Sequence, residues 1–177
     1  MECIFVRQAE QLGLGHAVLC AERAVGGDPF AVLLADDFLT DYKLGVTADL
    51  INAFSKTGKS QLSVMEVDGL EISKYGVVIP KSVGDSILGL IEKPDASEAP
   101  SNLASIGRYI LTPDIFETLR GLSAGSGGEI QLADAINIHA HEGLVETVRL
   151  NGRRFDCGSV DGFINASRHE YEKRLKI

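Results

Sequence analysis

A short apolar run that ends in two adjacent carboxylates constrains the fold of this chain most strongly. Residues Phe30–Ala35 are all apolar, and Asp36 and Asp37 follow them directly. A strand that is apolar on both faces is typical of the middle of a parallel sheet covered by helices, so the run predicts such a strand. Open α/β sheets bind ligands at the carboxyl ends of their strands, which makes the acidic pair a candidate Mg²⁺ site. The alternative is a polar strand end that begins a loop, and the dipeptide alone leaves both open.

The rest of the chain alternates between patterns typical of helices and patterns typical of strands. The spacing of apolar residues predicts helices over Glu10–Val25, Thr47–Phe54, Thr112–Gly121, Glu129–His141 and Asp161–Leu175. Further strands are predicted over Gln61–Val67, Tyr75–Pro80, Ile87–Ile91, Ala104–Leu111 and Val145–Leu150, of which the second and third form a hairpin. This alternation indicates an α/β sandwich around a mixed sheet. Because no linker divides the chain, we expect a single domain over residues 1–177.

Composition and charge exclude several classes of protein. The 177 residues are 45% apolar and carry a net charge of -8. The apolar content is too high for a disordered chain, and no run approaches the roughly 20 apolar residues of a membrane helix. A protein that binds the nucleic-acid backbone needs the opposite sign of charge. The three cysteines form no Cys-x-x-Cys pair, and no signal peptide opens the sequence. We therefore expect a cytoplasmic protein that binds neither nucleic acid nor membranes.

One segment imitates a phosphate-binding loop. Residues Ala53–Ser60 read AFSKTGKS, which departs from the P-loop pattern only at the first glycine. A P-loop follows a strand and begins a helix, because the helix N-terminus contributes to phosphate binding. Here the predicted helix precedes the segment and a predicted strand follows it. We therefore expect a surface turn and not the phosphate site of a P-loop NTPase.

Other polar residues stand where predicted elements end or begin. Glu92 and Lys93 close a predicted strand, where the carboxylate suits sugar hydroxyls and the ammonium suits a phosphate, although a solvated turn is the alternative. Asp156 precedes the last helix and is a candidate second carboxylate for the same metal, or only a helix entry. Glycines such as Gly13 at the start of a helix cost stability unless a backbone must approach something closely. A nucleobase packed there, beside the amide of Gln8, would explain them.

Six motifs follow one another along nearly the whole chain. They are Gln8 with Gly13–Ala17, Leu33–Asp37, Tyr75–Val78, Ile91–Pro94, Gly128–Leu132 and Phe155–Gly158. In order and spacing they resemble the bacterial UTP–glucose-1-phosphate uridylyltransferase family. The resemblance implies a Rossmann-like nucleotidyltransferase fold. It also implies a reaction in which UTP and glucose 1-phosphate give UDP-glucose and pyrophosphate.

The resemblance further implies a role for each candidate residue. It assigns them to three ligands: uracil (Gln8 and Gly13), Mg²⁺ (Asp36 and Asp156) and glucose 1-phosphate (Gly76, Glu92 and Lys93). Asp37 belongs with the substrate-binding residues. The implied reaction is a direct in-line attack of the sugar phosphate on the α-phosphorus of UTP, with Lys93, Asp36 and Asp156 as the catalytic residues. No general base is needed, because the nucleophile is already an anion.

The sequence departs from the family in two places. Ala35 stands where the family usually has proline, and the family's opening strand and G-x-G-T-R loop have no counterpart here. We therefore expect a domain that is incomplete at its N-terminal side and impaired by itself. Exposed sheet edges would favour a homo-oligomer. Two alternatives stay open: a related nucleotidylyltransferase with another base or sugar specificity, and a non-catalytic module for sugar-phosphate binding or assembly.

Overall fold

The computed structural model of the chain describes residues 2–40 and 44–175. Within these ranges the strands are β1 (Phe30–Leu33), β2 (Asp37–Leu39), β3 (Ser60–Glu66), β4 (Gly76–Pro80), β5 (Ile87–Glu92), β6 (Leu103–Leu111), β7 (Val145–Arg149) and β8 (Arg154–Asp156). The α-helices are α1 (Gly13–Cys20), α2 (Glu22–Val25), α3 (Val46–Thr57), α4 (Ile115–Gly121), α5 (Leu132–His141) and α6 (Val160–Arg174). A 3₁₀ helix over Gly69–Lys74 leads into β4.

A mixed sheet forms the centre of the fold. Its strands lie in the order β5-β4-β6-β3-β7, and β1 also pairs with β6. The β3–β7 pair is parallel, whereas the other strand pairs of this sheet are antiparallel. The long strand β6 pairs with β4 through Ala104 near its start and with β1 over residues 108–111 at its end. The predicted α/β class with a mixed sheet is confirmed, and so is the hairpin of β4 and β5.

Helices cover both faces of the sheet. Tyr109 and Leu111 of β6 belong to the core cluster that α1, α4 and α5 share, while Ile110 between them packs against Leu50 of α3. Because successive side chains of a strand point to opposite faces, α3 lies on the face opposite the other three helices. Among the described residues, none of the helices has both the length and the apolar character needed to cross a membrane.

The prediction for the apolar run is wrong in two respects. The strand β1 ends at Leu33 instead of Ala35, and it pairs antiparallel with β6 instead of lying between parallel neighbours. Phe30 and Val32 pack against the core, and the Phe30 ring stacks on Phe116 with 4.9 Å between centroids. The alternate side chains are exposed, Leu33 by 53%. An apolar run predicts that a strand forms, but the tertiary arrangement decides whether one or both of its faces are covered.

Three helices begin three residues later than their apolar spacing predicts: α1, α4 and α5. The reason is clearest for α5, because the segment before it is hydrogen-bonded to the start of α1. The Ile130 N–H donates to the Leu12 carbonyl at 2.7 Å, and the Ile130 carbonyl accepts from the Gly15 N–H at 2.9 Å. These tertiary bonds hold the segment extended and engage backbone groups that a further helical turn would need.

The segment that imitates a P-loop forms a turn, as predicted. The helix α3 ends at Thr57, Gly58 adopts a φ of 68° in the left-handed region, and β3 begins at Ser60. The Gly58 N–H donates to the Phe54 carbonyl at 2.7 Å, which is a common end for a helix. The order helix, turn, strand is the reverse of the one that a P-loop needs.

A small two-stranded sheet is absent from the sequence predictions. The strands β2 and β8 pair antiparallel, with Asp37 opposite Asp156. Each strand has only three residues, which is too short for a periodic signal. Ser159 caps α6, since its hydroxyl accepts from the Gly162 N–H at 3.1 Å. The strand β8 and the start of α6 thereby bring Asp156 to the acidic pair after β1.

Candidate active site

Strand ends from both sheets surround a cavity of about 340 Å³. Its wall comes from β2, β4, β5, β6 and β8 and from the start of α5. Six of the eight predicted site residues line it: Asp36, Asp37, Gly76, Glu92, Lys93 and Asp156. The fold therefore gathers into one cavity residues that the sequence spreads over 120 positions.

The carboxylates of Asp36 and Asp156 face a common point beside Gly158. A Cβ added to Gly158 would lie 3.1 Å from Asp156 Oδ1 and 3.3 Å from Asp36 Oδ2. Backbone bonds hold this arrangement: the Cys157 N–H donates to the Asp36 carbonyl at 2.7 Å, and the Gly158 N–H donates to Asp156 Oδ1 at 3.1 Å. The Asp36 and Asp156 residues are both exposed, so their remaining oxygens are accessible.

This pair of carboxylates fits a hard divalent cation. Mg²⁺ commonly takes one or two protein carboxylates and completes its shell with substrate phosphates and water. Over residues 2–40 and 44–175, no three His, Cys, Asp or Glu side chains are grouped so as to hold a metal ion. The donor set therefore suits an ion that arrives with a phosphate substrate better than an ion enclosed by protein ligands alone.

Asp37 has a different environment from its neighbour Asp36. It is only 5% exposed; its Oδ2 accepts from the Gly107 N–H at 2.8 Å and its Oδ1 forms an ion pair with Arg154 Nη2. Burial lowers the pKa of Arg154, and the hydrogen bond and charge of Asp37 more than offset this, so the pKa is raised overall. With both oxygens engaged inside the protein, Asp37 has little left to offer a ligand, and the predicted substrate contact stays a prediction.

Sequence reasoning did not single out Arg154. Its guanidinium pairs with Asp37, and its Nη1 donates to the Tyr75 hydroxyl at 2.9 Å. In the sequence it stands next to Arg153, which is exposed, and nothing in the local pattern distinguishes the two arginines. Only the pairing of β8 with β2 turns Arg154 inward, towards the cavity.

One end of the cavity, which is the predicted sugar-phosphate end, is built around Glu92 and Lys93. The Lys93 ammonium lies 3.6 Å from Glu92 Oε1, and both side chains reach solvent. Lys93 has a φ of 46° and is, over the described residues, the only non-glycine residue with a positive φ. Such strain costs about 1–3 kcal/mol and clusters at functional sites. Its N–H donates to the Tyr75 carbonyl at 3.0 Å, which ties the strained residue to the strand that begins at Gly76.

Gly76 leaves room beside the glutamate. A Cβ at this position would lie 3.1 Å from Glu92 Oε2, so any larger residue would crowd that carboxylate. The sugar contact that the resemblance implies for Gly76 stays a prediction.

Gln8 and Gly13 do not line the cavity, although the adjacent Leu14 does. They contact each other: Gln8 Nε2 donates to the Gly13 carbonyl at 3.0 Å and lies 3.0 Å from His16 Nδ1. Gly13 has a φ of 90°, and a Cβ there would lie 2.8 Å from the Glu129 Cβ. Backbone conformation and packing thus account for this glycine, and the predicted uracil contacts stay predictions.

The model of the nucleotidyl transferase family matches residues 1–173 of this chain. The chain belongs to the nucleotidyl transferase family. Among curated relatives, a UTP–glucose-1-phosphate uridylyltransferase of Pseudomonas aeruginosa is 43% identical over 99% of this chain and 65% of its own length. The uridylyltransferase of Escherichia coli K12 is also 43% identical, over 91% of this chain and 56% of its own. This nucleotidyl transferase chain thus spans less than two thirds of the length of these relatives.

Solved structures of the same fold agree with this family assignment. A UDP-glucose pyrophosphorylase complexed with UDP-glucose superposes with a TM-score of 0.89 at 42% identity, over 95% of this chain and 65% of the other. A UTP-bound pyrophosphorylase of Acinetobacter baumannii gives a TM-score of 0.81 at 38% identity, over 93% of this chain and 58% of the other. The mixed α/β architecture described above is therefore that of the nucleotidyl transferase fold.

Proposed function

We propose that this nucleotidyl transferase chain belongs to a UTP–glucose-1-phosphate uridylyltransferase, which joins UTP and glucose 1-phosphate into UDP-glucose and releases pyrophosphate. The observation that carries the proposal is one cavity with two carboxylates converging beside Gly158 and a glutamate–lysine pair at the end of β5. The names of the similar proteins support this choice of substrates, and so do the two similar structures described as bound to UDP-glucose and to UTP.

Lys93 and Glu92 bind glucose 1-phosphate in this proposal. The Lys93 side chain is 64% exposed, so its ammonium is free to turn from Glu92 to a phosphate in the cavity. Glu92 accepts hydrogen bonds from sugar hydroxyls, and the missing side chain at Gly76 lets the sugar approach the backbone. Gln8 and Gly13 contact the uracil beside Leu14, which lines the cavity although they do not.

Mg²⁺ is the proposed cofactor, with Asp36 and Asp156 as its protein ligands. When bound, the ion neutralises phosphate charge and orients the phosphates for transfer. The carboxylates supply two of its hard oxygen ligands and leave the other positions to phosphate oxygens and water.

The chemistry needs no acid or base from the protein. A phosphate oxygen of glucose 1-phosphate forms a bond to the α-phosphorus of UTP, while the bond from that phosphorus to the bridging oxygen of pyrophosphate breaks. Because the nucleophile and the leaving group are both anions, the task of the protein is positioning and charge neutralisation. Lys93 contributes to both, since it holds the attacking phosphate and offsets its charge.

We also propose that residues 1–177 act as a single Rossmann-like domain that is impaired by itself, because the sequence contains no G-x-G-T-R loop for the triphosphate. A cytoplasmic location is in keeping with three cysteines that are all free thiols.

A homo-oligomer is in keeping with the exposed apolar residues Val160, Phe163 and Ile164 on α6. Light scattering coupled to size-exclusion chromatography measures the oligomeric state.

Calorimetric titration tests the proposed site. We expect the chain to bind glucose 1-phosphate and UDP-glucose, and Lys93→Ala to weaken the binding of glucose 1-phosphate about tenfold or more. Lys81→Ala is the matched control, because this exposed lysine follows β4 and does not line the cavity. If the unchanged chain binds neither ligand, or if both variants behave alike, the proposed site is wrong.

A turnover assay tests the proposed reaction. The chain is incubated with UTP, glucose 1-phosphate and Mg²⁺, and UDP-glucose is quantified by chromatography. We expect formation far below the rate of a full-length relative, and a full rate would contradict the proposed impairment. Strong inhibition of this reaction by added dTTP or CTP would indicate another base specificity.

A further inference from the structure

The ion pair between Arg154 and Asp37 joins parts of the cavity wall that are far apart in the sequence. Arg154 lies two residues before Asp156 in β8, and Asp37 directly follows Asp36 at the start of β2. The two side chains are only 15% and 5% exposed. A pair so well shielded from water holds its geometry more firmly than a surface ion pair, and removing one partner leaves a buried charge without compensation.

The main sheet is shaped to receive this pair. Gly107 of β6 donates its N–H to Asp37 Oδ2 at 2.8 Å, and a Cβ at Gly107 would lie 2.5 Å from the Asp37 Cβ and from Oδ2. No side chain fits there. The carboxylate of Asp37 thus anchors the small β2–β8 sheet to the central strand of the large one.

The same arginine reaches the opposite side of the cavity through Tyr75. Arg154 Nη1 donates to the Tyr75 hydroxyl at 2.9 Å, and the guanidinium carbon lies 5.0 Å from the centre of the tyrosine ring. The Tyr75 carbonyl accepts from the Lys93 N–H at 3.0 Å, and Gly76 follows Tyr75 in the chain. A continuous path of contacts therefore runs from the carboxylates beside Gly158 to the strained Lys93.

We propose that Arg154 is a positioning residue that fixes the Asp36–Asp156 carboxylates relative to the sugar-phosphate end of the cavity, through its simultaneous contacts with Asp37 and Tyr75. It acts through these two partners and does not itself hold substrate. Arginine suits the task because its planar fork donates in two directions at once, whereas the lysine ammonium is a compact point charge. The functional part of this inference rests on the proposed function, and the geometric part does not.

Two variants separate the two contacts. Arg154→Lys keeps the positive charge and reaches Asp37 or Tyr75 but not both, whereas Tyr75→Phe removes only the hydroxyl that Arg154 contacts. Tyr171→Phe is the matched control, because this tyrosine is 64% exposed on α6. The conservative Tyr75→Phe change leaves the buried ion pair intact, so it keeps the test informative if Arg154→Lys does not fold.

Amide hydrogen exchange measured by NMR tests the geometry without any ligand. The Lys93 N–H bonds to Tyr75 and reports on the sugar-phosphate end, while the Cys157 N–H bonds to Asp36 and reports on the carboxylates. We expect Arg154→Lys to accelerate exchange at both amides, Tyr75→Phe to accelerate it only at Lys93, and Tyr171→Phe to change neither. Unchanged exchange in Arg154→Lys, or equal acceleration at both amides in Tyr75→Phe, overturns the proposal.

Ligand affinity tests the functional part. Mn²⁺, followed by its electron paramagnetic resonance signal, probes the carboxylates, and calorimetry with glucose 1-phosphate probes the other end. We expect Arg154→Lys to weaken both about tenfold and Tyr75→Phe to weaken only glucose 1-phosphate, by about threefold. Tyr75→Phe is the decisive variant, because mere loosening of the fold would weaken Mn²⁺ and glucose 1-phosphate equally in it. If the unchanged chain binds neither ligand, the proposed function fails, while the exchange pattern still decides whether Arg154 positions the two ends.

Discussion

A single added methyl group at Gly162 distinguishes local preference from tertiary packing. Gly162 lies in the first turn of α6, and alanine is favoured over glycine in a helix by about 1 kcal/mol. Helix propensity alone therefore predicts that Gly162→Ala stabilises the protein. In the structure, however, a Cβ at Gly162 would lie 1.8 Å from the Asp156 carbonyl oxygen and 2.8 Å from Ser159 Oγ.

The contact is too short to be accommodated without movement. Real Cβ atoms essentially never approach a heavy atom closer than 3.0 Å, so the Asp156 carbonyl and the helix must separate by more than an ångström. Overpacking typically costs about 1–3 kcal/mol, and here the atom in the way belongs to the backbone, which places the cost in the upper part of that range. After subtraction of the propensity gain, we expect a net loss of about 1–2 kcal/mol in the free energy of unfolding.

Thermal and urea denaturation measure this effect, with Gly121→Ala as the control. Gly121 ends α4, and a Cβ there would meet nothing within 4 Å, so its replacement should be neutral or stabilising. For a chain of this size, a loss of 1–2 kcal/mol lowers the melting temperature by about 2–8 °C. Because Asp156 must move, Gly162→Ala should also weaken the binding of Mn²⁺. If Gly162→Ala stabilises the chain as much as Gly121→Ala does, the packing argument is refuted.

Three further predictions concern strain, capping and pH. Lys93→Gly should raise the free energy of unfolding by about 0.5–1 kcal/mol, because glycine tolerates the φ of 46°, and should weaken glucose 1-phosphate binding as Lys93→Ala does; urea denaturation and calorimetry check the two effects. Ser159→Ala should cost about 1 kcal/mol in thermal denaturation because the α6 cap is lost, and Ser159→Asp should restore it. Burial raises the pKa of Glu146, but hydrogen bonds from Gln61 and Lys59 outweigh burial, so the pKa lies below its usual 4.5. The resulting stabilisation is complete above pH 4.5 and is lost as the pH falls towards the lower pKa of the folded state. Urea denaturation at pH 7 and pH 4 should therefore show a smaller loss of unfolding free energy for Glu146→Gln than for the unchanged chain.

Most of the fold follows from signals that lie within single segments of the sequence. The hairpin of β4 and β5, the helix α3 and the capped helix α6 are where their spacing and flanking residues predict them. Predictions fail where another segment competes for the backbone. The start of α5 is delayed by its bonds to the beginning of α1, and β1 gains only one covered face.

The candidate site likewise has residues that the sequence predicts and residues whose placement depends on contacts between distant segments. Acidic and basic residues at strand ends marked Asp36, Glu92, Lys93 and Asp156 as candidates, and the fold brings all four to one cavity. No local pattern showed that Asp37 is buried and its neighbour Asp36 exposed, because which of two adjacent carboxylates turns inward depends on the partner strand.

The sequence by itself therefore determined the types of its elements, the α/β class and the chemistry available at the strand ends, because periodicity, capping and residue type act over a few neighbouring positions. The tertiary structure decided which polar side chains face each other and which lie buried. Arg154 has no local signal and acquires its position only because two three-residue strands pair across more than a hundred positions of the chain. Such pairings depend on the packing of the whole molecule, and no window of the sequence contains both partners.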